Sequence, residues 1–117
     1  MDQAEKTGVE LGNFSVSLSV ADIHKSVAFY SAFGFEQIAG NIEQNWIILK
    51  NGDAKIGLFQ NMFQGNMMTF NPADGRVVEV AIKAAGHAIE TETTGEDGPC
   101  HFTLKDPDGN QILVDQH

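Results

Sequence analysis

Positive charge is scarce in this sequence. It contains 7 Lys and Arg residues against 16 Asp and Glu residues, has a formal net charge of −9, and shows no cluster of basic residues. Binding to nucleic acid depends largely on cationic side chains that contact phosphates. The chain is therefore not expected to bind nucleic acid.

Long apolar runs and cysteines are also lacking. No stretch reaches the roughly 18 consecutive apolar residues of a membrane-spanning helix. Residues 1–13 have neither the cationic start nor the apolar segment of a signal peptide. The single cysteine, Cys100, has no partner for an intrachain disulfide and is interpreted as a buried structural residue. These absences predict a cytoplasmic protein that does not bind membranes.

Length and composition, by contrast, suit a globular protein. The chain has 117 residues, of which 42% are hydrophobic and 20% are charged. A chain of this size can bury one hydrophobic core. We therefore predict one domain over residues 1–117.

The order of predicted elements is written twice along the chain. A strand at 14–20 is followed by a helix capped by Asp22 and by strands at 35–41, 45–51 and 54–60. A strand at 67–72 is followed by a helix capped by Asp74 and by strands at 87–92, 99–105 and 110–116. The repetition predicts an α+β fold of two paired βαβββ modules, module one near residues 10–62 and module two near 66–117.

The first strand, FSVSLSV, alternates without interruption between apolar residues and serines. In an extended chain Phe14 and the following apolar residues therefore point to one face, and the serines point to the other. A face with three hydroxyls is either open to water or the wall of a polar cavity. Local pattern alone leaves both interpretations open.

The last hairpin brings ionisable side chains together. Residues 106–109, DPDG, form a predicted turn, and pairing of its flanking residues sets His101 opposite Asp115 on the polar face. His101 is then a candidate general base oriented by Asp115, with His117 as an acid or substrate anchor. The alternatives are a charge-neutralising pair on a solvated face and a metal site on the same three residues.

Two segments, SLSVADIHKSVAFYSAFGFE (17–36) and DPDGNQILVDQ (106–116), resemble the vicinal oxygen chelate superfamily. This superfamily includes glyoxalases, bleomycin-resistance proteins and extradiol dioxygenases. The resemblance implies that the modules pair edge to edge into a sheet curved around a cavity, with the helices outside. It also implies a homodimer.

The resemblance further implies which positions would hold a divalent metal ion. These positions carry Ser15, Gln60, Met67 and Leu113, of which only Gln60 offers an expected oxygen donor. No metal or other cofactor is therefore expected, although a divalent ion on an atypical set of ligands stays an alternative. With Ser15 at such an inner position, the resemblance also implies that Ser17 and Ser19 face the cavity, while Phe14 and the apolar residues of the same strand pack beneath the helix. By strand alternation, further polar residues share the inner face with these positions. The predicted substrate-binding residues are Ser15, Ser17, Trp46, Gln60, Met67, Thr69, Asn71 and Leu113, and the candidate catalytic residues are His101, Asp115 and His117.

These features favour a metal-free small-molecule binding protein similar to bleomycin-resistance proteins. The alternative is a glyoxalase-like lyase or isomerase that uses His101 and Asp115 or an atypical metal site. A third interpretation is a protein-binding surface rich in methionine around residues 62–68.

Overall fold

The computed structural model describes residues 8–117 of the chain. The elements are β1 (Asn13–Val20), α1 (Ile23–Ser31), β2 (Glu36–Asn41), a 3₁₀ helix (Ile42–Gln44), β3 (Trp46–Asn51), β4 (Ala54–Gln60), β5 (Met67–Asn71), α2 (Gly75–Ala84), β6 (Cys100–Lys105) and β7 (Gln111–Gln116). No helix within the described range has the length and apolar character needed to cross a membrane.

All seven strands of the described range form one sheet in the order β2-β3-β4-β1-β5-β7-β6. The two modules join where β1 pairs antiparallel with β5. Within each module the first strand pairs in parallel with the last, β1 with β4 and β5 with β7. The predicted α+β fold and the edge-to-edge arrangement are confirmed.

Each module has its own apolar core on the outer face of the sheet, beneath its helix. Ile23 of α1 packs with Ile47, Leu49 and Leu58, all at most 2% exposed. The second core contains Val78 of α2, Phe102 and Val114. Because the helices take up the outer face, the inner face of the sheet is left for other contacts.

Both predicted helix caps are present. The Asp22 carboxylate accepts hydrogen bonds from the backbone N–H groups of His24 and Lys25, and that of Asp74 accepts one from Val77. Such caps satisfy N–H groups that have no partner inside the helix. The β-branched segment 77–82 is therefore helical although its composition also suits a strand.

The predicted strand at 87–92 is wrong. This segment makes one isolated antiparallel bridge, between Thr91 and Thr103 of β6. Arg76 of α2 donates hydrogen bonds to the carbonyl oxygens of Thr94, Gly95, Asp97 and Gly98. This anchoring draws the following loop toward α2, so the chain meets β6 at one point rather than along its length.

Phe14 does not pack beneath a helix as expected. It is 45% exposed and its ring lies 5.1 Å from that of Phe70. The physical reason is that α1 packs over β4 and α2 over β6 and β7. The middle of the sheet, where β1 meets β5, is thus left between the two helices.

Candidate functional site

The inner face of the sheet encloses a cavity of about 580 Å³. One part of its wall is polar and the larger part is apolar and aromatic. The polar residues are Ser15, Ser17, Lys55, Thr69, Asn71, Asp115 and His117, and the others are Ile38, Ala39, Trp46, Ile48, Phe59, Met62, Phe63, Met67 and Leu113.

The three serines of β1 have three different environments. Ser17 Oγ shares a buried 2.8 Å hydrogen bond with Thr69 Oγ1. Ser19 Oγ donates to the carbonyl oxygen of Phe63 at 2.9 Å. Ser15 is 7% exposed and its hydroxyl has no hydrogen-bond partner within residues 8–117, where every fully buried side-chain polar atom is paired. The Ser15 hydroxyl therefore opens onto the cavity.

The linker between the modules covers one end of the cavity. Besides the bond to Phe63, the backbone N–H of Ser19 donates to Asn66 Oδ1 at 3.1 Å. These bonds hold the linker against β1 and direct Met62 and Phe63 into the wall. The Phe63 ring lies 5.3 Å from that of Phe59. Together these side chains form an aromatic and thioether surface that can adapt to an apolar ligand.

Asn71 organises the C-terminal end of the cavity. Its Nδ2 donates to the carbonyl oxygen of Asp115 at 2.9 Å and lies 3.2 Å from His117 Nε2. Because the amide nitrogen is the donor, His117 Nε2 is the acceptor and the neutral imidazole carries its proton on Nδ1. Asp115 and His117 thus give the cavity one carboxylate and one oriented imidazole.

His101 lies beside this group but not in the cavity wall. It pairs directly with Asp115 between β6 and β7, as the hairpin predicted. Its side chain is exposed and is not among the residues that line the cavity. A catalytic role for His101 stays a prediction, and any direct contact with a ligand in this cavity would need its side chain to move.

The expectation that Gln60 lines the cavity is wrong. Its Oε1 accepts a 2.8 Å hydrogen bond from the backbone N–H of Ile23, so its side chain caps α1 on the opposite face of the sheet. The register sets Ser17 beside Gly57 and Ser19 beside Phe59. Consequently alternate residues of β4 other than Gln60 face inward.

The positions implied for a metal ion do not fit one. With Gln60 turned away, the remaining positions carry Ser15, Met67 and Leu113, which offer a hydroxyl, a thioether and a hydrocarbon. Within residues 8–117, no group of three or more His, Cys, Asp or Glu side chains is close enough to share an ion.

Sequence reasoning missed two inward residues of β4, Lys55 and Phe59. A Cβ on Gly57 would lie 2.5 Å from the Phe59 ring, so this ring folds over the glycine toward the cavity. The alternation in AKIGLFQ was the available signal. Ile56 and Leu58 suit the outer core, which assigns Lys55, Gly57 and Phe59 to the inner face.

No protein-family model matches the chain, and no curated protein matches it in sequence. Solved structures do match. A glyoxalase/bleomycin resistance protein/dioxygenase superfamily member from Vibrio splendidus 12B01 superposes with a TM-score of 0.70 at 17% identity, over 90% of this chain and 98% of that one. A protein described as an NAD-dependent benzaldehyde dehydrogenase from Legionella pneumophila gives 0.72 at 16% identity, over 88% and 97%.

A methylmalonyl-CoA epimerase from Streptomyces coelicolor gives a TM-score of 0.66 at 20% identity, over 92% of this chain and 95% of that one. The differing descriptions of these three structures show how little the fold says about chemistry. At such identities the likeness establishes the fold alone. The chain has a glyoxalase-like fold.

Proposed function

We propose that the chain is a metal-free small-molecule binding protein of the cytoplasm, whose ligand occupies the cavity of the inner face. The observation that carries the proposal is the cavity itself, about 580 Å³ with a mostly apolar wall and a few convergent polar groups. Cavities that bind small molecules typically have this size and this mixture of apolar and polar groups. The Ser15 hydroxyl, which opens onto the cavity, is ready to bind a polar group of the ligand.

The chemistry of the expected metal positions supports the metal-free part of the proposal. Divalent ions in proteins are held by imidazole, thiolate or oxygen donors that converge on one point. Ser15, Met67 and Leu113 do not provide such a set, and the amide oxygen of Gln60 already caps α1.

A thermal-shift screen tests both parts. We expect the melting temperature to rise with apolar compounds that carry one polar group, and to stay unchanged with Mg²⁺, Mn²⁺, Zn²⁺ or Ni²⁺. Ser15→Phe fills part of the cavity and should remove the response to the compounds. Ser31→Phe makes the same exchange at the exposed end of α1 and should retain it. A saturating rise with one ion would contradict the metal-free proposal, and a response unchanged in Ser15→Phe would contradict the site.

A second candidate is a lyase or isomerase that acts by proton transfer. Asp115 and the oriented His117 line the same cavity, which favours this reading, and His101 would act through its neighbour Asp115. An epimerase is among the structures of similar fold. Deuterium uptake by a bound compound in D₂O, lost in Asp115→Asn, would favour the enzyme over the binding protein.

The proposal includes a homodimer, as the resemblance implies. Large apolar side chains remain on the outer surface of the chain, among them Phe29 at 60% and Phe33 at 63% exposure. Contact with a second copy would remove this surface from water.

A further inference from the structure

We infer that the ligand is an apolar molecule with a single carboxylate, which binds between Lys55 and Ser15 while its apolar part lies along the neighbouring aromatic wall. This inference rests on the proposed function and narrows the class of ligand. Within residues 8–117, Lys55 is the only cationic side chain that lines the cavity.

Lys55 and Ser15 occupy neighbouring positions on adjacent strands. The parallel register of β1 and β4 pairs Val16 with Ile56, which sets Lys55 beside Ser15 on the inner face. Lys55 is half-buried, and Ser15 is buried with its hydroxyl open to the cavity. An ammonium group and a hydroxyl in this arrangement can both donate hydrogen bonds to one carboxylate.

The charges around Lys55 favour an anion. Its direct partner across the β3–β4 pair is Lys50, and the two side chains share a face. Like charges at directly opposite positions destabilise a sheet. Lys50 has Glu36 on its other side, in the β2–β3 pair. Lys55 has Ser15 on its other side, so neither of its strand neighbours is acidic.

The opposite end of the cavity sets the direction and the charge of the ligand. Asp115 on β7 is separated from Lys55 on β4 by three strand steps, a path of about 14 Å along the sheet at the usual strand spacing. Its carboxylate repels an anion at that end. Lys55 can pair with one negative charge, whereas a phosphate dianion would leave a second charge without a cation among the described lining residues. Lys50 does not supply it, because it is exposed and outside the lining.

The apolar part of the ligand follows from the cavity wall beyond Lys55. Ile48 of β3 and the Phe59 ring, which folds back over Gly57, line the cavity farther along the strands from Lys55, and Trp46 lies opposite Phe59. A molecule with its carboxylate at Lys55 therefore lies against an indole, an aliphatic side chain and a phenyl ring. Aromatic or alkyl-aromatic acids match this wall in shape and polarity.

The test uses four compounds with one skeleton: 4-phenylbutanoate, 4-phenylbutan-1-ol, 4-phenylbutylamine and 4-phenylbutyl phosphate. Binding is followed by the fluorescence of Trp46, the only tryptophan, and by calorimetry. We expect the carboxylate to bind about tenfold or more tightly than the alcohol, because a hydrogen bond to a charged group contributes that much. The amine and the phosphate should bind more weakly than the carboxylate, and added salt should weaken carboxylate binding.

The two adjacent lysines provide a matched pair of variants. Lys55→Met keeps the apolar stem and should reduce carboxylate affinity about tenfold without changing alcohol affinity. Lys50→Met removes the same charge one strand away and should change each affinity less than about twofold, since exposed charges are screened.

Equal affinity of the carboxylate and the alcohol, or equal loss of both in Lys55→Met, would overturn the inference and leave the binding site itself intact. Tighter binding of the phosphate would overturn the carboxylate assignment. If none of the four compounds binds while the screen finds other ligands, the inference falls and the proposed function stands. If the screen finds none either, both fall.

Discussion

At the scale of residues, Lys55 and Gln60 show how one strand serves two faces of the sheet. They lie five positions apart on β4, so an extended backbone points them in opposite directions. Lys55 reaches the cavity, whereas Gln60 satisfies the backbone N–H of Ile23 at the start of α1. One side chain therefore contributes to recognition and the other to stability.

This division predicts the behaviour of Gln60→Leu. The variant leaves the N–H of Ile23 without its acceptor, and the free energy of unfolding should fall by about 1–2 kcal/mol, as for other lost helix caps. Binding of 4-phenylbutanoate should be unchanged. Urea unfolding measures the stability and calorimetry measures the binding. Loss of binding in a variant of normal stability would show that Gln60 belongs to the binding site.

The same residues show what the sequence predicts and where it fails. Strict alternation in FSVSLSV and a defined turn at 106–109 were enough to orient Ser15 and to pair His101 with Asp115. Gln60 was assigned from the resemblance, against the alternation of Ile56 and Leu58 in its own strand. Local pattern was the better guide there, because the period of a strand fixes which face each side chain joins.

At the scale of elements, a buried carboxylate connects α2 to the loop that follows it. Glu79 is 7% exposed and accepts hydrogen bonds from the backbone N–H of Thr93 at 2.8 Å and from its Oγ1 at 2.6 Å. Burial favours the protonated form, but these bonds and nearby positive charges outweigh it and hold the pKa of Glu79 below its ordinary value of 4.5. The ionised group therefore stabilises the fold.

The direction of this pKa shift determines how the stability contributed by Glu79 depends on pH. Because the folded pKa lies below the unfolded one, the stabilisation is complete above the unfolded pKa and is lost as pH falls through the folded pKa. Thr93→Val should lower the free energy of unfolding at pH 7 by about 1–3 kcal/mol. The difference from the unmodified protein should shrink in acid, where Glu79 is protonated in both.

Denaturant unfolding between pH 7 and pH 3 measures the effect. Thr91→Val is the control, since the side chain of Thr91 is exposed and makes no hydrogen bond within residues 8–117. A deficit in Thr93→Val that is independent of pH would show that the stabilisation does not depend on ionised Glu79.

Elements were predicted best where a cap or a turn marks them. Asp22 and Asp74 identified both helices although α2 is rich in β-branched residues. Segment 87–92 has no comparable signal, and its path depends on Arg76, whose bonds to the loop at 94–98 are tertiary contacts. Contacts of this kind cannot be deduced from periodicity.

At the scale of the whole molecule, the outer surface is as distinctive as the cavity. Phe29 lies in the last turn of α1 and Phe33 lies two residues after the helix ends. Their ring centroids are 5.4 Å apart. They form an exposed aromatic pair on the side of the sheet away from the cavity. Aromatic side chains are enriched in the cores of protein interfaces, and burial of such a pair contributes strongly to association.

The homodimer is therefore a testable part of the proposal. Sedimentation at micromolar concentration should give twice the 12.7 kDa mass of the chain. Phe29→Glu should shift the equilibrium to monomer, because a charge would be buried where the aromatic pair packs. Val77→Glu, an exchange at an equally exposed position on α2, should leave the dimer unchanged. A monomer at every concentration would contradict the homodimer, and dissociation by Val77→Glu alone would move the contact to α2.

Since the cavity opens on the opposite face, we expect 4-phenylbutanoate affinity to be equal in the dimer and in the Phe29→Glu monomer.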